Sequence, residues 1–148
     1  MKSNADPHES KEAANAYQLA FKDPEFLGRP ETRGIRFQLE LLKPELDLAQ
    51  AGIENTIVVF GSARFDETNT YYEAARSFAR LVAKGCESLP TTDRLTICTG
   101  GGPGIMEAAN RGAMEAGAPS VALNISLPHE QKPNPYVTPD LSFKFHYF

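Results

Sequence analysis

The sequence has no tryptophan, only two cysteines and no apolar run long enough to cross a membrane. Cys86 and Cys98 are too few for a disulfide framework and too far apart for a CxxC pair, so we expect no disulfide and no bound metal. Residues 1–8 lack the apolar core of a signal peptide. These absences favour a cytoplasmic protein with no membrane partner.

Basic residues are also in the minority, with 15 Lys and Arg against 19 Asp and Glu and a net charge of -4. This balance argues against a surface that follows a nucleic acid backbone, so no nucleic acid partner is expected. The length of 148 residues, with 41% hydrophobic residues, predicts one globular domain.

Residues 1–30 combine charges, polar side chains and prolines, and they predict a flexible N-terminal arm with one modest helix over residues 9–21. The predicted domain covers residues 31–148. Its first element is a helix over residues 32–51, whose apolar side chains form a stripe that covers a core. Pro44 lies within this helix and predicts either a bend or two shorter helices.

The middle of the sequence alternates short apolar runs with helical patterns. Residues 56–60 predict a strand buried on both faces, and residues 95–98 and 121–125 predict two more strands. Thr70 and Glu73 form a capping-box pattern at the start of the intervening helix. This β-α-β-α-β order predicts an α/β fold with a parallel sheet, and such sheets bind ligands at the carboxyl ends of their strands.

An apolar run that begins at Leu141 closes the sequence, and residues 143–148 include four aromatic side chains. Aromatic side chains in this number need a surface to pack on, and three strands are few for a sheet of this kind. We therefore expect the chain to be the front part of a longer domain, with its sheet truncated at the C-terminal end.

A glycine-rich turn, TGGGPG at residues 99–104, lies between the second predicted strand and the next helix. Glycine permits positive φ and a close approach of the backbone to a ligand, and Pro103 suits a first helical position. The N–H groups of Gly104, Ile105 and Met106 are expected to be unpaired at the positive end of the helix dipole. This arrangement predicts a phosphate site, with a tight turn that binds nothing as the alternative.

Two common nucleotide motifs do not fit this turn. A dinucleotide fingerprint that begins at Gly100 requires a glycine where Ile105 stands. The third strand ends in Asn124 and Ser126, where an NAD site uses an acidic residue. No GK[ST] sequence follows, which excludes a P-loop. A nucleoside monophosphate or a sugar phosphate remains the expected ligand.

Several stretches resemble the LOG family of nucleoside 5′-monophosphate phosphoribohydrolases, often labelled lysine decarboxylases. They are VFGSAR at residues 59–64, YYEAA at 71–75 and TGGGPGIMEAAN at 99–110, and residues 33–40 resemble the amino-terminal helix of larger bacterial members. The resemblance implies a Rossmann-like, doubly wound parallel sheet with helices on both faces, and a homodimer. It also implies hydrolysis of AMP-like or cytokinin nucleotides to a free base and ribose 5-phosphate.

The resemblance places half of a nucleotide site in this chain, at the glycine-rich turn and at the end of the first strand. The expected substrate-binding residues are Ser62, Arg64, Gly101, Gly102, Gly104, Met106 and Glu107. The family's arginine-bearing helix and its PGGxGTxxE loop do not occur in this sequence. No catalytic residue is therefore assigned, and the chain alone is expected to be inactive.

Three of these residues have a structural alternative. A carboxylate in the first turn of a helix, such as Glu107, is stabilised by the helix dipole without any ligand. The adaptable side chain of Met106 could equally fill a gap in the core under the start of the helix. Arg64 suits a surface ion pair with Asp66 or Glu67.

Two other functions are compatible with the same residues. One is non-catalytic binding of a phosphate-bearing ligand, which resembles the molybdenum cofactor carriers. The other is a structural or pseudoenzyme role. No cofactor is expected, because pyridoxal phosphate chemistry needs a Schiff-base lysine beside the phosphate, and none of Lys84, Lys132 and Lys144 has that context.

Overall fold

A computed structural model describes residues 15–126 and 132–147. These residues form an α/β fold with a four-stranded, all-parallel sheet. They fall into two compact units, divided between Leu39 and Glu40, and the sheet belongs to the second unit. No helix in the described ranges is long and apolar enough to cross a membrane.

Over residues 15–21, the described part of the helix expected at residues 9–21, the first unit contains short 3-10 turns. Before residue 33 the described elements are three 3-10 turns, Asn15–Tyr17, Ala20–Lys22 and Pro30–Thr32, and helix α1, Pro24–Leu27. Residues 16–22 are exposed, so no packed face stabilises a longer helix there. The Asp23 carboxylate caps α1 by accepting a hydrogen bond from the Phe26 N–H at 2.9 Å. Residues 9–14 lie outside the described residues.

Helix α2, Arg33–Gln50, continues through Pro44. Of the two expected arrangements, a single helix is therefore the one that forms. Proline removes one hydrogen bond from the helical ladder. Pro44 is buried, and Leu48, one turn later, packs against the sheet, so this burial offsets the lost hydrogen bond.

The sheet has the strand order β1-β2-β3-β4. The strands are β1, Asn55–Val58; β2, Leu95–Thr99; β3, Ser120–Ile125; and β4, Ser142–Phe145. The three predicted strands are confirmed, and β4 is the apolar element expected after Leu141. The order follows the chain without a reversal among the described strands. They therefore contain no switch point of the kind at which open α/β sheets bind ligands.

Strand β1 is largely exposed, so the prediction that it is buried on both faces is wrong. Val58 is 55% exposed, and Phe60, just beyond the strand, is 73% exposed. The physical reason is that β1 lies at the edge of the described sheet and pairs only with β2.

Helix α3, Thr70–Cys86, follows β1 and begins one residue earlier than the capping-box pattern predicts. Its cap is Asn69, whose Oδ1 accepts a hydrogen bond from the Tyr71 N–H at 2.9 Å. Thr70 is therefore the first helical residue instead of the cap. Glu73 pairs with Arg76 at 3.2 Å.

Helices cover both faces of the sheet. Side chains alternate along a strand, so neighbouring residues of β2 face opposite ways. On one face Ile97 packs against α3 and against helix α4, Ile105–Glu115. On the other face Cys98 packs with Leu48 of α2 and with apolar residues of β3 and β4. This two-sided burial makes the fold Rossmann-like.

Candidate functional site

The loop after β1 and the glycine-rich turn after β2 meet at the carboxyl edge of the sheet. The Ser62 carbonyl accepts a hydrogen bond from the Ile105 N–H, with an N···O distance of 3.1 Å. Gly61 also lies against Ile105, because a Cβ built on Gly61 would stand 2.5 Å from Ile105 Cβ. Parallel strands that are neighbours thus bring the two segments of the predicted site together.

Two glycines of the turn are required by packing within the protein. Gly101 has φ +71°, and a Cβ there would stand 2.1 Å from Asn124 Oδ1. Gly104 has φ +76°, and a Cβ there would stand 2.2 Å from the Ser62 carbonyl oxygen. Both residues are buried. These contacts account for two of the glycines without a ligand.

The N–H groups of the turn divide into bonded and free ones. The Gly101 N–H donates to Thr99 Oγ1 at 3.0 Å. The expectation that the Ile105 N–H is unpaired is wrong, because the Ser62 carbonyl is its acceptor. No described residue accepts a hydrogen bond from the N–H of Gly102, Gly104 or Met106. Of the N–H groups around the start of α4, these three are therefore without an acceptor among the described residues.

Helix α4 begins at Ile105 and is capped by Gly104, whose φ is 76°. Pro103 therefore precedes the cap and does not occupy the first helical position. The left-handed φ of Gly104 turns the chain into the helix, a conformation that a side chain at this position would strain. The free N–H groups lie where the helix dipole is positive.

Arg64 is exposed, and neither partner expected for a structural role pairs with it. The Asp66 carboxylate instead accepts hydrogen bonds from Thr68, which lower the pKa of Asp66. Glu67 pairs with Arg111 at 2.7 Å. Among the described residues, none forms an ion pair with the Arg64 guanidinium. The backbone N–H of Arg64 donates to Ser62 Oγ at 3.1 Å, which orders the loop.

Glu107 lies in the first turn of α4 and has a partner in the protein. The Tyr72 hydroxyl donates to Glu107 Oε1 at 3.1 Å. Burial raises the pKa of Tyr72, so this hydroxyl stays protonated over the physiological range. Glu107, one of the seven predicted binding residues, thus makes a structural hydrogen bond within the protein.

An apolar groove of about 540 Å³ borders the glycine-rich turn. Gly100, Gly102 and Met106 form one side of it, and Phe60 lies on the same edge of the sheet. The remaining lining residues come from α2, β3 and β4: Leu41, Pro44, Leu48, Leu123, Ile125 and Phe145. Met106 is half-buried in this lining and not sealed in the core.

Sequence reasoning did not identify a buried polar network behind the turn. Thr99 Oγ1 donates to Asn110 Oδ1 at 2.8 Å, and Asn110 Nδ2 donates to Ser120 Oγ at 3.0 Å. Asn134 joins the network from the loop before β4. The one available signal was an asparagine on the buried, alanine-rich face of a helix, since a buried amide needs partners.

Charged residues away from the turn connect α3 with α4. Arg76 donates to both carboxylate oxygens of Glu115, at 2.6 and 2.8 Å, and Arg111 lies 3.1 Å from the same carboxylate. The hydrogen bonds from Arg76 lower the pKa of Glu115 from 4.5. The folded state therefore binds this proton less readily than the unfolded chain does.

We expect Glu115→Gln to change the acid dependence of stability. Because the folded pKa lies below the unfolded value of 4.5, the stabilisation is complete above that pH and is lost as the pH falls through the folded pKa. The substitution is expected to cost below about 1 kcal/mol at neutral pH, since the pair is partly solvated. Denaturant unfolding of both proteins between neutral and acid pH checks this, with the exposed Glu54→Gln as control. A difference between wild type and Glu115→Gln that stays constant at low pH would contradict it.

The structure brings the segments with Ser62, Arg64, Gly101, Gly102, Gly104 and Met106 to one edge of the sheet. The described residues contain no group of three His, Cys, Asp or Glu side chains placed to hold a metal ion. Comparison of the chain with models of known protein families and with characterised proteins found no match. The fold and the site define a Rossmann-like α/β protein with a glycine-rich turn at the carboxyl edge of its sheet.

Proposed function

We propose that this chain carries the nucleotide-binding part of a nucleoside 5′-monophosphate phosphoribohydrolase of the LOG type. The reaction is hydrolysis of the N-glycosidic bond of AMP-like or cytokinin nucleotides, which gives the free base and ribose 5-phosphate. The proposal keeps the sequence-derived binding residues except Glu107. The carboxylate of Glu107 accepts a hydrogen bond from the Tyr72 hydroxyl and is assigned a structural role.

The observation that carries the proposal is the junction of Ser62 with the start of α4. The hydrogen bond between the Ser62 carbonyl and the Ile105 N–H holds the two loops together. The Arg64 guanidinium and the N–H groups of Gly104 and Met106, which have no partner among the described residues, then belong to one edge. Guanidinium and N–H donors at a helix start are the groups that bind a phosphate in many proteins.

The groove beside the turn suits the base of the same nucleotide. Its lining is mostly apolar, with Met106 and Phe60 next to the turn. The flat faces of a purine favour apolar and aromatic contacts, and Met adapts its shape to such a ligand. The phosphate would then lie at the turn and the base in the groove.

The chemistry of the bond cleavage needs groups that the described residues do not bring to the turn. Positive charge develops on the ribose in the transition state, so a carboxylate must stabilise it and activate water. Glu107 is occupied by the Tyr72 hydroxyl. In the LOG family, which this sequence resembles, an arginine-bearing helix and a PGGxGTxxE loop supply these groups. Neither occurs in this sequence, so we propose that this chain alone binds the nucleotide without turnover.

The same observation favours a second candidate, a binding protein for a phosphate-bearing ligand similar to the molybdenum cofactor carriers. Binding requires only the turn, Arg64 and the groove. Measuring dissociation constants for AMP, NAD and ribose 5-phosphate by calorimetry separates the candidates. The tightest binding is expected for AMP, and the absence of an AMP preference would count against the phosphoribohydrolase.

We expect Arg64→Ala to weaken AMP binding about tenfold, the effect of losing one charge-assisted contact with phosphate. Its melting temperature should stay within about 1 °C of wild type, because no described residue pairs with the guanidinium. The matched control is Arg94→Ala, because Arg94 lies before β2 at the opposite edge and donates to the carbonyls of Leu89 and Glu87. Equal losses of AMP affinity in both variants would contradict a specific role for Arg64.

A further inference from the structure

Asn134 makes an unusual set of contacts with the glycine-rich turn. It is only 8% exposed, and its backbone N–H donates to the Gly101 carbonyl at 2.9 Å. Its side-chain Nδ2 lies 3.2 Å from the carbonyl oxygens of both Gly101 and Gly102. One residue from a distant loop thus binds two consecutive carbonyl groups of the turn.

The amide of Asn134 is itself held in a fixed orientation. Its Nδ2 also donates to Asn110 Oδ1 at 2.9 Å, and its Oδ1 accepts a hydrogen bond from the Tyr136 N–H at 3.2 Å. Asn110 is held in turn by Thr99 and Ser120. The donors and the acceptor of this buried amide are all used, which is what a rigid polar network requires.

These contacts determine where the next N–H of the turn points. The described peptide bonds are all trans, so the C=O and N–H of one peptide point in opposite directions. The Gly101 carbonyl points towards Asn134, and the Gly102 N–H therefore points away from it. Gly102 lines the groove, and no described residue accepts a hydrogen bond from its N–H.

We infer that Asn134 is a positioning residue that orients the Gly101–Gly102 peptide, so that the Gly102 N–H is presented to the phosphate of the ligand. This inference rests on the proposed function, because it assigns the N–H to the phosphate-binding site of that proposal. Asn134 contacts the turn and not the ligand. Its effect reaches the ligand through the peptide that it holds.

The test uses two variants of the full chain, Asn134→Asp and Asn134→Ser. Asp keeps the size and the acceptor but loses the donor, whereas Ser keeps one donor. The Gly101 N–H donates to Thr99 Oγ1, which belongs to the same network as Asn134. In ligand-free protein its hydrogen exchange, followed by NMR, should become about tenfold faster in Asn134→Asp and less so in Asn134→Ser. AMP affinity should fall about tenfold in Asn134→Asp, while the affinity for adenosine, which lacks the phosphate, should not change.

The control is Asn55→Asp, because the Asn55 amide also donates to a backbone carbonyl, that of Thr92, but at the amino end of β1. A merely structural role for Asn134 would lower AMP and adenosine binding together. Unchanged Gly101 exchange, or an unchanged ratio of AMP to adenosine affinity in the variants, would overturn the inference. If wild type binds AMP and adenosine equally, the proposed function and the phosphate contact of Gly102 both fail, while the exchange rates still decide whether Asn134 orders the turn.

Discussion

Replacing Gly112 with alanine is expected to lower the free energy of unfolding by about 2 to 3 kcal/mol, in the range of overpacked sites. Gly112 is buried where α4 crosses α3. A Cβ at this position would stand 2.1 Å from the carbonyl oxygen of Arg76 and 3.1 Å from Ala79 Cβ. The obstacle is helix backbone, so the helices must move apart and disturb the packing against Ile97. Denaturant unfolding measures the loss.

The matched control for this prediction is Gly85→Ala. Gly85 also lies in a helix, α3, but a Cβ there would meet no atom within 4 Å. Alanine has the higher helix propensity, so Gly85→Ala is expected to leave stability unchanged or to raise it by up to about 1 kcal/mol. A Gly112→Ala protein as stable as Gly85→Ala would show that the two helices separate without cost, contrary to the prediction.

Gly104→Ala is expected to weaken AMP binding more than tenfold and to lower stability by about 2 kcal/mol, through positive-φ strain and steric overlap. The new Cβ would stand 2.2 Å from the Ser62 carbonyl oxygen and 2.8 Å from Ala63 Cα. The loop after β1 must then move away from α4, which breaks the hydrogen bond between Ser62 and Ile105. Calorimetric titration with AMP and a thermal melt measure both effects.

Gly117→Ala is the control for the steric overlap, as distinct from the cost of a positive φ. Gly117 has φ +74°, close to the +76° of Gly104, but a Cβ there would meet nothing within 4 Å. The control therefore has a positive φ without the overlap, and about 1 kcal/mol of destabilisation with unchanged AMP affinity is expected. If Gly104→Ala binds AMP as well as Gly117→Ala does, the junction between the two loops is not needed for binding.

The sequence by itself predicted the local elements, because their cause lies in neighbouring residues. The short apolar run of residues 95–98 predicted β2 within one residue, and the helix expected after the glycine-rich turn is α4. The glycine-rich turn could be placed between them for the same reason. The cap of α3 was placed one residue late, since Asn69 and Thr70 are both good caps and only the fold selects one.

The tertiary structure alone decided which groups of the turn are free. The Ile105 N–H pairs with Ser62, a residue of another strand end, and Gly101 and Gly104 pack against other segments. It also decided that β1 is exposed at an edge, since strand order is a property of the whole sheet. Asn134 reaches the turn from more than thirty positions along the chain. Composition and spacing report on neighbours in sequence, whereas hydrogen-bond partners and steric limits depend on segments that meet only after folding.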